Sequence, residues 1–334
     1  MHIPENYVSP TTCATLTAAM LPVWYISLNK VKAQLKDKPE KIPSIGIAAA
    51  LVFLIMMFNL PVPGGTTAHA IGAVLVAILF GPYISCISVS LALLIQAVAF
   101  GDGGILAFGV NAFNMAFIMP FVGFSIYNLF AKRNHDRLGA AVGSYLGIAL
   151  ASLSVAIELG VQPMFFRSAS GAPKYFPYGL NVTIPSMLSV HLLVIGFVEL
   201  FLTVGIYTYV KKISQNDIYY YSKPTTSIKA LHGLKRFWIA ALSLLALLTP
   251  LGLLVKGDAW GEWSNATLLK MLQAEGVSKI LPTGMANGFK FNAPFPDYTI
   301  KNTGNISGYI LIAATVVAMV LILFKVNQNE TNKD

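Results

Sequence analysis

Long apolar runs separated by short polar segments dominate the chain. Nine of them, bounded by Lys, Arg, Pro or Gly, have the length and composition of helical membrane segments. They cover residues 11–29, 44–60, 69–82, 83–100, 105–130, 138–161, 181–210, 237–255 and 306–324. A helix needs about 20 apolar residues to cross a bilayer. The pattern therefore predicts an all-α integral membrane protein with about nine transmembrane helices.

The composition supports this class. Of the 334 residues, 55% are hydrophobic and only 11% are charged, whereas a soluble domain has about 25% charged residues. A soluble globular enzyme and a disordered chain are both excluded. The two cysteines, Cys13 and Cys86, lie in apolar runs and form neither a disulfide framework nor a CxxC metal motif.

The distribution of the basic residues along the chain predicts the membrane topology. The net charge is +9, and all 23 Lys and Arg residues fall outside the nine predicted helices. Most of them lie in alternate loops that become the inner side if the N-terminus is outside. We therefore expect a multi-pass protein of the cell membrane with an extracytoplasmic N-terminus and a cytoplasmic C-terminus. On this interpretation the basic charge reflects topology, and nucleic acid is not a partner.

The first ten residues differ from a secretory signal peptide. They contain no Lys or Arg, and the lysine cluster follows the first apolar run, so we expect the first helix to stay attached. The aminopeptidase that removes initiator Met favours small second residues, and His2 is not small. The sequence therefore predicts a retained Met1 with a free α-amine beside His2.

A terminal Met1-His2 pair is a candidate chelate. The Met1 amine, the deprotonated His2 amide nitrogen and the His2 Nδ1 atom can bind one metal ion in a plane. A fourth nitrogen would complete a square, a geometry that favours Ni(II) or Cu(II). His69, which ends a Gly-rich outer loop, is the candidate fourth donor. The alternatives remain open that His2 is a polar residue of a frayed terminus and that His69 only caps the third helix.

Several polar residues are predicted near this site. Gly64-Gly65 and Gly103-Gly104 permit backbone conformations that let their loops fold into the bundle. Asp102 is a candidate to orient an imidazole, or else a turn residue. Asn111 and Asn114 share a face of the fifth helix, where they could bond the inserted terminus or bridge two helices.

Two acids, Glu158 and Glu199, lie within the predicted helices, and His191 lies eight residues before Glu199. Such residues are costly at that depth and usually face the bundle interior. A proton relay would indicate a secondary transporter, while a structural role would indicate nothing about function. Two acids without an intramembrane Lys or Arg provide few groups for a proton relay, so the structural role is favoured.

Three segments resemble a known family, the NikM/CbiM substrate-capture components of energy-coupling-factor nickel and cobalt transporters. They are Met1-His-Ile-Pro-Glu-Asn-Tyr-Val-Ser-Pro10, Pro63-Gly-Gly-Thr-Thr-Ala-His69 and the run Phe100–Met115. The resemblance implies that the N-terminus inserts into the bundle from outside and that Met1, His2 and His69 hold the metal. The chain departs from the family where Glu5-Asn6 replaces Asp-Gly and Thr67-Ala68 replaces Ser-Gly. Neither change affects a proposed donor.

The resemblance also suggests a domain organisation. A capture domain with seven helices is expected over residues 1–215, followed by a cytoplasmic linker over 216–236. Residues 237–334 look like the two-helix N component of such transporters, with a large extracytoplasmic loop. This loop contains Asp258–Trp263 and Ala293–Tyr298. Its aromatic residues are either interfacial anchors or, as the resemblance implies, part of a device that loads metal.

The expected function is membrane import of Ni²⁺, with Co²⁺ as the alternative substrate. The metal is cargo and not a cofactor. No GxxxxGK[ST] phosphate loop occurs, and the resemblance implies a transmembrane coupling (T) subunit and cytoplasmic ATPase subunits as partners, in contact with membrane lipid.

Two other classes of protein fit the sequence less well. An autonomous ion-coupled carrier would use Glu199 and His191, but the chain shows no convincing internal repeat. A metalloenzyme is disfavoured because there is no HExxH pair and the five histidines fall on both sides of the membrane. We therefore expect a protein that is not an enzyme.

Overall fold

The computed structural model describes residues 1–36, 42–63, 66–215, 218–221, 228–254, 257–300 and 302–331. Part of the predicted linker 216–236 lies outside these ranges. So do the predicted loop glycines Gly64 and Gly65 and six of the basic residues, namely Lys38, Lys41, Lys223, Lys256, Lys301 and Lys333.

Helices account for nearly all of the regular structure. The α-helices are α1 (Pro10–Lys36), α2 (Pro43–Met56), α3 (Ala73–Phe80), α4 (Pro82–Ile95), α5 (Phe108–Ala112), α6 (Met119–Ala131), α7 (Asp136–Gly160), α8 (Gln162–Phe165), α9 (Leu180–Val190), α10 (Gly196–Ser214), α11 (Ile228–Leu248), α12 (Asn265–Ala274), α13 (Thr283–Ala286) and α14 (Asn305–Thr331). Three short 3₁₀ segments are Tyr219–Tyr221, Thr249–Leu254 and Pro296–Tyr298. An antiparallel hairpin, β1 (Leu60–Val62) and β2 (Thr66–Ala68), pairs Leu60 with Ala68.

Seven helical segments within the described ranges are long and apolar enough to cross a membrane. They are Pro10–Lys36, Pro82–Phe100, Phe108–Ala131, Asp136–Phe165, Leu180–Ile213, Arg236–Leu254 and Asn305–Ile322. The other two predicted runs form the shorter helices α2 and α3, which are almost completely buried. The all-helical membrane fold is thus confirmed, and the count agrees roughly with the predicted nine.

Small residues allow the helices of the bundle to approach closely. A Cβ atom placed on Gly143 of α7 would lie 2.5 Å from the Gly123 carbonyl oxygen of α6, and one placed on Gly147 would lie 2.9 Å from the Met119 carbonyl oxygen. Small residues at such crossings are typical of membrane helices, where close van der Waals packing replaces hydrophobic exclusion.

Three helices contain π-helical turns, at Gln96–Phe100, Phe113–Ile118 and His191–Ile195. Single π-helical turns inside α-helices occur frequently at functional sites. Each of these three includes a buried polar residue: Gln96, Asn114 and His191 respectively.

The N-terminal segment, residues 1–9, runs into the protein instead of projecting from it. Met1, His2 and Ile3 are buried, with Ile3 fully inaccessible. The Gly104 amide donates to the Ile3 carbonyl at 2.9 Å, and the Phe176 amide donates to the Tyr7 carbonyl at 3.0 Å. The buried segment therefore has backbone partners in two different loops, as a buried backbone requires.

The loop between α11 and α14 covers the same end of the bundle. The Thr67 amide of β2 donates to the Asp258 carbonyl at 3.4 Å. The Tyr7 hydroxyl donates to the Trp263 carbonyl at 2.6 Å, and the Asn6 amide donates to the Phe289 carbonyl at 2.7 Å. These contacts bring the C-terminal part of the chain against its first residues.

Candidate metal centre

Two histidine rings meet at the inner end of the N-terminal segment. The His2 Nδ1 atom lies 3.3 Å from the His69 Nε2 atom, and both residues are buried. His69 follows strand β2, whose pairing with β1 directs the chain toward the terminus. Nitrogen ligands bind metals such as Zn²⁺ at about 2.0–2.1 Å, which places adjacent corners of a square roughly 2.9 Å apart. The two ring nitrogens are therefore close to the spacing of neighbouring ligands.

The hydrogen bonds of His69 leave its facing nitrogen unprotonated. Its Nδ1 atom lies 3.0 Å from the Ala70 carbonyl oxygen, and only an N–H can bond to a carbonyl. Nε2 then carries a lone pair that points toward His2. Burial, together with the positive Met1 terminus, lowers the pKa of His69 to about 4. The ring is thus neutral near pH 7, which a metal ligand requires.

The backbone nitrogens of Met1 and His2 both donate to one carboxylate oxygen of Glu262. The distances to its Oε1 atom are 2.6 Å from the Met1 amine and 2.9 Å from the His2 amide. Burial would raise the pKa of Glu262, but the Met1 ammonium and the two histidines hold it low, at about 2. The two nitrogens of the predicted chelate therefore converge on a single negatively charged atom.

Glu262 was not among the predicted site residues. Ligand atoms of His2, His69 and Glu262 all lie within 4.8 Å of one another. From the sequence alone, the segment Asp258–Trp263 is either an interfacial anchor or part of a loop that loads metal. Glu262 is 261 residues from Met1, and no spacing rule connects them, so only the folded loop identifies it.

The three other predicted site residues fall in two different places. Asp102 lies with its Oδ1 atom 3.3 Å from His2 Nδ1. Asn111 bonds the backbone of Ile3 twice, accepting from its amide at 2.7 Å and donating to its carbonyl at 3.1 Å. Asn114 instead donates to Glu158 at 2.6 Å. This hydrogen bond joins two helices, which is the helix-bridging alternative for Asn114. The described hydrogen bonds of Asn114 include none to the N-terminal segment.

The intramembrane residues Glu199 and His191 bond to the backbone. Glu199 Oε1 accepts from the amides of Ile71 and Gly72, the latter at 2.8 Å. These amides immediately follow the His69 loop and precede α3, so Glu199 anchors that loop. His191 Nδ1 bonds to the Met187 carbonyl oxygen at 2.8 Å. Both residues thus have structural contacts of the kind that the sequence analysis favoured.

A cavity of about 330 Å³ opens beside the two histidines. Both parts of the chain line it, with carboxylates from Asp102, Asp258, Glu262 and Asp297. Among the described lining residues there is no Lys or Arg. The cavity beside the ring nitrogens is therefore lined by acidic side chains.

The fold and the site together define a polytopic helical membrane protein with a cluster of two histidines and a carboxylate, whose ligand atoms lie within 4.8 Å of one another, at one end of its bundle. The family model described as "cobalt uptake substrate-specific transmembrane region", CbiM, matches residues 2–216, and the PDGLE domain matches residues 235–328. The chain belongs to the CbiM family and carries a C-terminal PDGLE domain, which confirms the predicted resemblance.

Named relatives match nearly the whole chain. It is 52% identical over 332 residues to the probable fused nickel transport protein LarMN of Lactiplantibacillus plantarum, covering 99% of each. It is 40% identical to the fused nickel transport protein NikMN of Rhodobacter capsulatus, covering 96% of this chain and 95% of the relative. A crystal structure described as a truncated transition metal transporter shares 54% identity and a TM-score of 0.60, over 64% of this chain and 99% of that one. The names of these relatives are those of transport proteins, as expected for a protein that is not an enzyme.

Proposed function

We propose that this protein is the metal-capture component of a Ni²⁺ importer. The proposed ligands are four nitrogens: the Met1 amine, the His2 amide, His2 Nδ1 and His69 Nε2. The observation that carries the proposal is the 3.3 Å approach of the two ring nitrogens, next to the two backbone nitrogens that converge on Glu262. A cation bound here would use the lone pair of His69 Nε2 and displace the hydrogens that the Met1 amine and the His2 amide donate to Glu262.

The choice of Ni²⁺ over Co²⁺ rests on ligand chemistry and on relatives. Planar nitrogen coordination suits Ni(II), and both relatives described above are named as nickel transport proteins. The family model itself is named for cobalt uptake, so Co²⁺ remains the alternative substrate.

The proposed topology places the metal site on the extracytoplasmic side. The N-terminal segment, the His69 loop and the loop after residue 257 share one end of the bundle, as their hydrogen bonds show. Most of the basic residues belong to the segments assigned to the opposite side. The proposed division remains a capture domain over 1–215, a linker over 216–236 and a two-helix domain over 237–334.

Import against a gradient requires energy that this chain does not supply from a phosphate loop of its own. We propose that a transmembrane coupling subunit and cytoplasmic ATPase subunits complete the transporter. The test is Ni²⁺ uptake by cells that produce this chain with and without those subunits. Uptake that is equally fast without them would support the autonomous carrier instead.

The first experiment on the site compares the native N-terminus with a variant that has two Gln residues inserted between Met1 and His2. A small residue after Met1 would favour removal of Met1 and restore an X-His terminus, and a single inserted residue would itself form a four-nitrogen chelate. Binding of Ni²⁺ and Co²⁺ is measured by equilibrium dialysis of purified protein, and mass spectrometry verifies each terminus. The insertion keeps every side chain but enlarges the chelate, so we expect a loss of affinity of more than roughly a hundredfold. Unchanged affinity would show that the terminus is not the site. The metal that binds the native protein more tightly identifies the substrate.

A further inference from the structure

A segment of the C-terminal loop lies against the N-terminal segment with little regular structure of its own. We call this segment, residues 284–298, the strap. Its residues 287–295, all of them described, form no helix or strand, and most of the strap is exposed. Segments with few buried contacts and exposed backbone open locally at a low cost in free energy. The position of the strap therefore depends on the points at which it is attached.

Backbone hydrogen bonds attach the two ends of the strap. At its start the Gly284 amide donates to the Lys174 carbonyl at 2.8 Å. Near its other end the Phe295 amide donates to the Ala99 carbonyl at 3.0 Å. The strap thus connects the loop after α8 to the last turn of the helix that begins with α4.

A single side chain attaches the middle of the strap. The Asn6 amide nitrogen donates to the Phe289 carbonyl at 2.7 Å, and the Phe289 amide donates to the Asn6 side-chain oxygen at 3.0 Å. One side chain thereby bonds to both backbone groups of one residue, as two residues of paired strands do. Gly288 permits this approach, because a Cβ atom there would lie 2.2 Å from the Asn6 oxygen.

The backbone of Asn6 does not require this side chain. Its φ is 66°, in the left-handed region that Gly adopts readily and that Asn tolerates. Glycine would therefore keep the backbone conformation of the N-terminal segment and remove only the two bonds to Phe289.

The strap also forms part of the wall around the candidate metal centre. Asp297 and Tyr298, at its end, line the cavity beside the two histidines. Despite this cavity, Met1, His2 and His69 are each at most 5% exposed. A metal ion reaches atoms this deeply buried only when a covering segment moves, and loops that cover binding sites commonly open in this way.

We propose that Asn6 is a positioning residue that holds the strap closed, and that opening of the strap at Asn6 sets the rate at which metal enters and leaves the site. Asn6 lies four positions after His2, so its bonds to Phe289 join the metal-binding terminus directly to the C-terminal domain. This inference rests on the proposed function, in which Met1, His2 and His69 hold the metal.

The first test is hydrogen exchange of the purified, metal-free protein, read by mass spectrometry of peptides from the strap. Asn6→Gly removes both bonds to Phe289, so strap amides should exchange roughly tenfold faster, since each net hydrogen bond contributes a factor of a few. Gly288→Ala breaks the same contact from the side of the strap and leaves the N-terminal segment unaltered. It should give the same result, which covers the case in which Asn6→Gly fails to fold.

The second test is the kinetics of Ni²⁺ binding, followed by stopped-flow tryptophan fluorescence and by release into an excess of chelator. In Asn6→Gly the association and dissociation rate constants should both rise roughly tenfold, while the equilibrium affinity changes by less than about threefold. The reason is that opening speeds passage in both directions and leaves every proposed ligand in place. A residue that only stabilises the site would change dissociation alone and weaken binding.

Asn134→Gly is the matched control. Asn134 is also in the left-handed region, with φ 60°, and lies in the exposed loop before α7. The substitution makes the same chemical change on a similar backbone away from the strap. It should alter neither the hydrogen exchange of the strap nor the two Ni²⁺ rate constants.

Two outcomes would overturn the inference. One is unchanged hydrogen exchange of the strap in Asn6→Gly, or in Gly288→Ala if Asn6→Gly does not fold. The other is faster exchange of the strap with unchanged Ni²⁺ rate constants, or with faster dissociation alone. If the wild type binds no Ni²⁺, the proposed function fails, and exchange of the strap alone decides whether Asn6 holds it closed.

Discussion

At the residue scale, the proposed site depends on a few nitrogen atoms and on the hydrogen bonds that orient them. His69 is held by the Ala70 carbonyl, so its Nε2 points at His2.

We expect His69→Ala to reduce Ni²⁺ affinity by more than roughly a hundredfold, because one of four nitrogen ligands is lost and even residues behind such ligands contribute tenfold to a hundredfold. Equilibrium dialysis measures the affinity, and thermal unfolding of the metal-free protein checks that the fold persists. His135→Ala, an exposed histidine in the loop before α7, is the control. Retained affinity in His69→Ala would contradict the four-nitrogen site.

The carboxylate of Glu262 pairs with the buried Met1 amine at 2.6 Å. Glu262→Ala leaves that ammonium without its partner, and breaking a buried pair costs about 3 kcal/mol. We expect a lower midpoint of thermal unfolding for the metal-free protein.

Ni²⁺ should reduce the difference, since a metal-bound Met1 amine has lost its proton and no longer needs the carboxylate as a partner. Glu275→Ala is the control, because Glu275 accepts from Tyr178 at the surface. An equal loss of stability in the two variants would argue against a special role for the Met1–Glu262 pair.

At the scale of elements, the His69 loop is positioned by a hairpin before it and a helix after it. Glu199 of α10 accepts from the amides of Ile71 and Gly72 at the start of α3. One carboxylate oxygen therefore holds the turn that connects His69 to the bundle. This makes Glu199 an anchor for a loop, which is a different role from proton transfer.

The anchor role predicts a contrast between two variants. Glu199→Gln keeps an oxygen that accepts both amides, so Ni²⁺ affinity should change by less than about threefold. Glu199→Ala leaves both buried amides unpaired, at a cost of about 1–3 kcal/mol for each group, and should weaken binding and lower stability together. Equilibrium dialysis measures the Ni²⁺ affinity of both variants, and thermal unfolding measures their stability. A large loss of uptake in Glu199→Gln with unchanged binding would support the alternative that the protein is a proton-coupled carrier.

At the scale of the whole molecule, the N-terminal segment, the His69 loop and the C-terminal loop meet at one end of the bundle. The proposed topology puts that end outside the cell. Cys13 and Cys86 are both buried, so a new surface cysteine has little background labelling.

Ala274→Cys, at the exposed end of α12, should react with an impermeant maleimide added to intact cells. His135→Cys, in the exposed loop before α7, should react only after the cells are opened. Mass spectrometry of the labelled protein gives the result. Labelling of His135→Cys in intact cells would reverse the proposed orientation.

The sequence alone determined the fold class and predicted the nitrogen ligands of the proposed site. Apolar runs with no Lys or Arg inside them can satisfy their backbone in a membrane only as helices, and the position of His2 beside a terminal amine defines a chelate by covalent geometry. The tertiary structure decided what surrounds that chelate. Glu262 and Tyr298 reach the site from a loop more than 250 positions along the chain, and Asn114 turns to Glu158 instead of the terminus. Local patterns record which face of a helix is buried, whereas hydrogen bonds between distant loops exist only after the chain has folded.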